Sequence, residues 1–192
     1  MKQTTTFHIG FLALCAALNV GIGAIVGMLK LPIYLDSTGT VLAAALGGWA
    51  YGAAAGIISV LIAAIVIAPT APAYAGTAIV IALVVSFIVR FKFLRSFPIT
   101  VIGGIVIGIV AAIVSAPVTT YLYGGVSLAG SDAFTAFFKA MGKTLMESVI
   151  LGGLATDPVD KLATALIAFM IIRAIQHRAF GRFRNGELFT QK

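Results

Sequence analysis

Long apolar runs separated by short polar segments dominate this chain. A helix needs about 20 mostly apolar residues to cross the hydrocarbon core of a bilayer. The runs therefore predict an all-α membrane protein with six transmembrane helices inside a single integral membrane domain, 1–192. The predicted spans are 9–29, 38–49, 51–68, 77–92, 98–122 and 158–176.

Glycine and proline set the predicted boundaries of these spans. The apolar stretch 38–67 would form a helix about 45 Å long, which overshoots a bilayer. The stretch 47–52, GGWAYG, in its middle therefore predicts a tight interfacial turn between two shorter helices. The first run is too long for the core of a signal peptide and is followed by further spans, so it is predicted to remain as a helix. Its predicted end is at Lys30, Leu31 and Pro32.

Segment 133–153, between the fifth and sixth spans, has a different pattern. Its large apolar residues recur at helical spacing, and Lys139, Lys143 and Glu147 fall on another face at intervals of four. This pattern is typical of an amphipathic helix. We expect such a helix either at the membrane interface or packed over the bundle.

Basic residues determine the predicted orientation. With both termini in the cytoplasm and six crossings, nine of the 13 Lys and Arg residues face the cytoplasm, including those of the basic tail 177–192. A further crossing by 133–153 would put this tail outside, against the positive-inside rule. The sequence thus predicts an N-in/C-in protein whose 133–153 helix does not cross.

Composition excludes several classes of function. The chain is 60% hydrophobic and 10% charged, with a mean hydropathy of +1.10, so its solvent is membrane lipid. The net charge of +7 then reflects basic residues sorted to one side, and no nucleic-acid partner is expected. The sequence contains no phosphate-binding loop, His-Glu-x-x-His or Gly-x-Ser-x-Gly motif, and Cys15 is the single cysteine. We therefore expect no enzyme activity, metal site or cofactor.

The same topology collects polar residues on the outer side. Five of the six acidic residues and four of the five tyrosines fall there. A solute site is therefore predicted to open outward, from loops 30–40, 69–76 and 119–157, where aromatic rings and carboxylates bind a ring and its N–H or O–H donors. The candidate site residues are Tyr34, Asp36, Ser37, Thr38, Tyr74, Tyr121, Glu147 and Asp157.

Each candidate also has a structural interpretation. Asp36 fits equally well as the cap of the second helix. Asp157 fits better as the cap of the last span, with Lys161 as its ion-pair partner four residues later. Glu147 is in an apolar stretch and needs water, Lys143 or a bound solute. The tyrosines are also typical anchors at the membrane interface.

Small residues recur every four positions on the first span, at Ala13, Ala17 and Gly21. Such ridges allow close approach of helices in lipid, either within the bundle or with another membrane subunit. No charged residue falls in the middle of a predicted span, although proton-driven pumps usually need buried carboxylates or histidines there. A self-sufficient active transporter is therefore disfavoured.

Three segments resemble the substrate-binding S components of energy-coupling-factor (ECF) vitamin transporters. They are KLPIYLDSTGT at 30–40, VLAAALGGWAYGAAAG at 41–56 and DPVDK at 157–161. The resemblance implies a six-helix, multi-pass protein of the bacterial cytoplasmic membrane that binds a vitamin-like ligand from outside. It also implies three partners, namely a transmembrane coupling protein and two cytoplasmic ATPase subunits.

The resemblance further assigns roles to two regions. Ala13 and Ala17 match the Ala-x-x-x-Ala spacing that faces the coupling protein in the family, and Gly21 extends it. Residues 30–37 match the loop that helps to gate the ligand pocket. We therefore expect an S component that captures a vitamin or related micronutrient, with cobalamin, thiamine precursors and queuosine precursors all open. The alternative is a membrane-embedded small-molecule sensor or scaffold subunit without transport activity.

Overall fold

The computed structural model describes residues 5–29, 31–127 and 131–190, and these contain helices and no β-strand. Lys30, residues 128–130 of the predicted outer connection and the last two residues of the predicted tail lie outside the described residues. The helices are α1 (Thr5–Met28), α2 (Thr38–Gly47), α3 (Trp49–Val66), α4 (Ala75–Ile88), α5 (Phe97–Tyr123), α6 (Asp132–Ala140), α7 (Leu145–Ala174), α8 (His177–Phe180) and α9 (Glu187–Thr190). Short 3-10 helices, Ala71–Tyr74 and Val89–Phe91, flank α4.

Four helical segments in the described part of the chain are long and apolar enough to cross a membrane. They are Thr6–Met28, Trp49–Val66, Ala71–Phe91 and Phe97–Tyr123. Helix α2 has only ten residues, and the 30-residue α7 carries charged residues in its middle. The all-helical class with apolar membrane spans is therefore present, while the number of six crossings stays a prediction.

The predicted break between the second and third helices is confirmed. Helix α2 ends at Gly47, and α3 begins at Trp49. Between them Gly48 has a φ of +93°, a conformation that glycine adopts without steric cost. All ten residues of α2 are buried, with α1, α3, α4 and α7 packed around them. Helix α2 is thus the centre of the bundle.

Small residues permit this dense packing around α2. A Cβ added to Gly39 would lie 1.9 Å from the Cys15 carbonyl oxygen, so α1 and α2 are in backbone contact there. Helix α3 is also in close contact with its neighbours, with Gly52 against Ala44 of α2 and Gly56 against Ala78 of α4. The glycines of α3 therefore serve internal packing.

One buried amide joins the first three helices. Asn19 of α1 is 2% exposed and donates to the hydroxyls of Thr40 and Ser59, both at 2.9 Å. Its carbonyl oxygen accepts from the backbone N–H groups of Gly39 and Thr40. The side chain thus uses both its donors and its acceptor, as burial of an amide in an apolar core requires.

The predicted amphipathic helix 133–153 is wrong as a single element. Helix α6 ends at Ala140, Gly142 adopts a φ of +85°, and α7 begins at Leu145. The side chain of Thr144 accepts from the Glu147 N–H, while Glu147 accepts from the Thr144 N–H, which forms a capping box. The apolar spacing continues across this break, so periodicity alone did not reveal it.

The predicted helix start at Asp157 and Pro158 is also wrong. Helix α7 continues through both residues to Ala174, so Asp157 is not a helix cap. Proline inside a helix removes one backbone hydrogen bond and introduces a steric clash. Gly108 of α5 packs against this turn, since a Cβ there would lie 2.4 Å from the Pro158 Cα. Helix α5 is therefore in close contact with the turn of α7 in which Pro158 removes a backbone hydrogen bond.

The two ends of the described chain meet at one end of the bundle. Phe183 packs against Phe7 and Phe11, with ring centroids 5.4 and 4.8 Å apart. Asn185 donates from its backbone N–H to the Leu46 carbonyl and from its side chain to the Ala45 carbonyl, at 2.9 and 3.1 Å. The segment after α7 thereby satisfies carbonyls at the end of α2. We call this the terminal end, and the opposite end, with residues 31–37, the loop end.

Replacement of Gly39 by Ala should destabilise the bundle, because the new methyl group overlaps the Cys15 carbonyl. Overpacking of this kind costs about 1–3 kcal/mol. The matched control is Gly21→Ala, since a Cβ at Gly21 has no neighbour within 4 Å and Ala favours the helix by up to about 1 kcal/mol.

Thermal unfolding in detergent can be followed with a fluorogenic thiol reagent, because Cys15 is 1% exposed and is the single cysteine. Gly39→Ala should lower the midpoint temperature, and Gly21→Ala should leave it unchanged or raise it. Equal midpoints for the two variants would contradict the close approach of α1 and α2.

Candidate solute-binding site

A small polar cavity lies at the loop end, between α5, α6, α7 and the loop 31–37. Its volume is about 30 Å³. Most of its walls are hydroxyl groups, together with two carboxylates. The lining residues are Tyr34, Ser115, Thr119, Ser127, Ser131, Asp132, Thr135, Val149, Gly153, Thr156 and Asp157.

Two glycines on α7 position the neighbouring helices around this cavity. A Cβ on Gly152 would lie 2.7 Å from the Thr135 hydroxyl of α6, and one on Gly153 would lie 3.1 Å from the Ala112 Cβ of α5. Helices α5 and α6 therefore both approach the same turn of α7. Thr156 and Asp157 follow on the next turn, where they contribute to the cavity wall.

Tyr34 closes the cavity from the loop. Its hydroxyl hydrogen-bonds Ser131 at 2.5 Å and lies 3.4 Å from the Ser127 hydroxyl. Burial raises the pKa of Tyr34 to about 12, so the phenol keeps its proton at neutral pH. On the other side, Ser127 donates to Asp132 from its backbone N–H, at 2.9 Å, and from its hydroxyl. Hydrogen bonds thus connect the loop with the start of α6.

A buried charge cluster fixes the loop that carries Tyr34. The Asp160 Oδ1 accepts from the backbone N–H groups of Tyr34 and Leu35, at 2.9 and 2.7 Å. Its other oxygen pairs with Lys161, which also reaches Asp36 at 3.3 Å. Leu35 has a φ of +51°, which is uncommon for a residue with a side chain. The two bonds to Asp160 hold the backbone in this conformation.

The structural interpretations of Asp36 and Lys161 need correction. Ser37, not Asp36, is the residue before α2, and no side chain caps that helix. Asp36 is 57% exposed and pairs with Lys161, so the predicted pair of Lys161 with Asp157 is wrong. Thr38 donates to the Leu35 carbonyl at 3.2 Å, and the buried Ser37 hydroxyl has no hydrogen-bond partner among the described residues. Asp36, Ser37 and Thr38 therefore lie next to the cavity and do not line it.

Two further candidates lie away from the cavity. Glu147 is exposed at the start of α7, where Thr144 donates to it from its backbone N–H and its hydroxyl, at 2.9 and 3.0 Å. These bonds and the charge of the predicted partner Lys143 lower its pKa, so the carboxylate is compensated without a solute. Tyr121 on α5 is 77% exposed. Neither residue contributes to the cavity wall.

Tyr74 contacts a residue of the cavity wall but does not line the cavity itself. Its hydroxyl lies 3.0 Å from that of Thr119, which lines the cavity. Its ring stacks on Tyr123, whose hydroxyl donates to the Thr70 carbonyl at 2.8 Å. The predicted loop 69–76 thus reaches the site through one intermediate residue.

Most hydroxyls of the wall were not among the candidates, and neither was Asp132. Ser115 and Thr119 are four residues apart and so share one face of α5. Thr156 follows Gly152 at the same spacing, and its hydroxyl donates to the Gly152 carbonyl at 3.0 Å. A polar face on an apolar helix is the signal that would have identified these residues.

The ridge Ala13, Ala17 and Gly21 on α1 is exposed. A Cβ on Gly21 would have no neighbour within 4 Å, and the same holds for Gly10 and Gly27 on this helix. Internal packing therefore does not account for the ridge.

A second cavity, of about 120 Å³, lies at the terminal end. It is lined by His8, Gly47, Tyr51, Phe183 and Arg184, and the Tyr51 hydroxyl lies 2.9 Å from the His8 Nδ1. Among residues 5–29, 31–127 and 131–190, no group of three or more His, Cys, Asp or Glu side chains is arranged to hold a metal ion.

Comparison of the chain with protein families, with curated proteins and with solved structures found no match.

Asp160→Asn should destabilise the protein far more than Asp36→Asn. Removal of one member of a buried ion pair costs about 3–5 kcal/mol, because it leaves the other charge uncompensated. Asp160 is fully buried, whereas the more exposed Asp36 forms a contact worth at most about 1 kcal/mol. The check is the thermal unfolding midpoint in detergent, at one pH and salt concentration. Similar losses for the two variants would contradict the central role of Asp160.

Proposed function

We propose that this chain is the substrate-binding S component of an ECF-type importer. It captures a vitamin or related micronutrient on the outer side of the bacterial cytoplasmic membrane. A separate coupling protein and two cytoplasmic ATPase subunits then release the solute inward. One observation carries the proposal: Tyr34, from the segment that resembles S components, closes a hydroxyl-lined cavity.

The distribution of charge supports an outward-facing cavity. Asp36, Asp132 and Asp160 lie at or near the loop end, whereas Arg182 and Arg184 lie beside α1 and α2 at the terminal end. Under the positive-inside rule the terminal end faces the cytoplasm. The contact between Phe7 and Phe183 also puts both ends of the described chain on one side, as an even number of crossings requires. Both observations agree with six crossings and an N-in/C-in orientation.

The cavity corresponds to a closed state of such a receptor. Pockets for small molecules have volumes of roughly 300–1,000 Å³, ten or more times the present space. The loop 31–37 is fixed to α7 by Asp160, whereas α6 has nine residues and packs chiefly against α7. Entry of a solute therefore separates α6 from Tyr34 and breaks the contacts of its hydroxyl with Ser131 and Ser127.

The exposed ridge on α1 provides a surface for the coupling protein. Ala13, Ala17 and Gly21 allow a partner helix to approach the α1 backbone closely. Helix α1 is bonded to the start of α2, which directly follows the loop 31–37. Energy from ATP hydrolysis then reaches the solute site through α1, α2 and this loop.

Uptake of a labelled vitamin should require both this chain and the coupling module. Cells that lack their own vitamin importers express the chain alone, the module alone or both, and a panel of radiolabelled vitamins is supplied at nanomolar concentration. Accumulation is expected only when both are present. Binding without accumulation in any combination would favour the sensor or scaffold alternative, and the absence of both would contradict the proposal.

Ala17→Leu should abolish most of this uptake and leave solute binding intact, since a larger side chain separates α1 from a partner helix. The matched control is Ala155→Leu, which enlarges another exposed alanine on α7. Uptake is measured in cells, and binding is measured on the purified variants. Equal uptake by the two variants would contradict a coupling role for the ridge.

A further inference from the structure

The described wall of the cavity is acidic and contains no basic side chain. Its described lining residues include two carboxylates, Asp132 and Asp157, and no Lys, Arg or His. The other groups of the wall are mainly hydroxyls, which donate or accept hydrogen bonds but do not neutralise charge. An anionic solute would therefore meet two negative charges with which no basic side chain of the described wall pairs.

Asp157 is buried and forms no ion pair with a described residue, although the charge of Lys161, one turn away, still acts on it. It is 8% exposed, and its one hydrogen bond within the described chain comes from the Thr156 hydroxyl, at 3.3 Å. That hydroxyl has a single proton and also lies 3.0 Å from the Gly152 carbonyl. The second carboxylate oxygen of Asp157 has no hydrogen bond to any described residue. Burial of a carboxylate with so few hydrogen bonds is costly, and a donor group of a solute in the cavity would supply a further bond.

The nearest lysine does not fill this role. Lys161 lies one turn along α7, but its Nζ is paired with Asp160 and Asp36. Asp160 accepts hydrogen bonds from two backbone N–H groups in addition to its ion pair with Lys161. Two acids three residues apart on α7 thus have opposite environments. Asp160 is fully bonded and holds the loop, whereas Asp157 faces the cavity.

Asp132 faces the same cavity from α6. Both of its hydrogen bonds, from the Ser127 N–H and hydroxyl, reach its Oδ1 atom. Its Oδ2 atom has no partner among the residues that the structure describes. The cavity therefore lies between two carboxylates on different helices, each with an oxygen available to accept a hydrogen bond.

We propose that the cavity binds a small organic cation whose protonated nitrogen lies between Asp157 and Asp132. This inference rests on the proposed function, because it specifies the class of solute that the receptor captures. An ammonium or amidinium group would donate N–H bonds to the available carboxylate oxygens and neutralise them. The surrounding hydroxyls of Tyr34, Ser115, Thr119 and Thr135 bind the remaining polar groups of the solute.

The charge of the solute can be tested before the solute itself is identified. The full chain, purified in nanodiscs, is incubated with three pools of a bacterial metabolite extract. The pools contain the cations, the anions and the uncharged compounds, as separated by ion exchange at pH 7. Compounds retained after desalting are identified by mass spectrometry.

Retention of a compound from the cation pool is expected. Retention only from the anion pool or the uncharged pool would overturn the inference and leave the proposed receptor function in place. No retention from any pool would contradict both. The two proposals can therefore fail separately.

Two variants then test the carboxylates with the retained cation as the probe. Asp157→Asn and Asp132→Asn keep the shape of each side chain and remove its charge. Each should raise the dissociation constant at least about tenfold, because a charged partner of the ligand is lost. The control Glu187→Gln, on exposed α9 at the terminal end, should leave the constant unchanged.

The unfolding midpoint of the ligand-free variants separates ligand binding from a structural role. Neither asparagine variant should lower the midpoint, since neither carboxylate forms an ion pair with a described residue. Unchanged affinity in both variants would overturn the inference, and so would a loss of stability without a loss of affinity. If Asp157→Asn does not fold, Asp132→Asn decides the question alone, because Asp132 is less buried and lies on the shorter α6.

Discussion

The buried carboxylate of Asp160 is the contact on which the loop end of this protein depends. It lies near the middle of α7, where an uncompensated charge would be very costly, and it is compensated by Lys161 and by two backbone N–H groups of the loop. These bonds determine the path of the loop, and the loop in turn determines the position of Tyr34. The closed cavity, the proposed opening between Tyr34 and α6, and the proposed site for a cation therefore all depend on the bonds of Asp160.

Close backbone packing is the second requirement, and it explains much of the segment that resembles S components. Gly39 allows α1 and α2 to touch, and Thr40 completes the bonding of Asn19. Gly52 and Gly56 perform the same packing role on α3. The residues that carry the resemblance thus have two physical functions, because some build the core around α2 while others, such as Tyr34, reach the cavity.

Local patterns were sufficient where the decisive interaction is itself local. The break at Gly48 follows from a long apolar run that contains a residue able to adopt positive φ. The break inside the amphipathic segment is also marked locally, by the capping box of Thr144 and Glu147, but the prediction followed the apolar period, which continues across Gly142. Pro158 is not a local case. A proline is tolerated inside α7 with Gly108 of another helix packed against that turn, and no local pattern contains this information.

The candidate site divides in the same way. Tyr34 and Asp157 were candidates because the predicted topology puts them on the outer side, and both line the cavity. Glu147 stands out as an acid in an apolar stretch, but it bonds Thr144, three residues earlier, a choice between partners that composition does not decide. Ser115, Thr119 and Asp132 gain their place in the site only from the packing of α5 and α6 against α7. Hydropathy along the chain thus indicated most of the helices and the polar end of the bundle, but not the break between α6 and α7. Tertiary packing decided which carboxylate is bonded and which faces the cavity, because the backbone N–H groups that bond Asp160 lie in a loop more than 120 residues away.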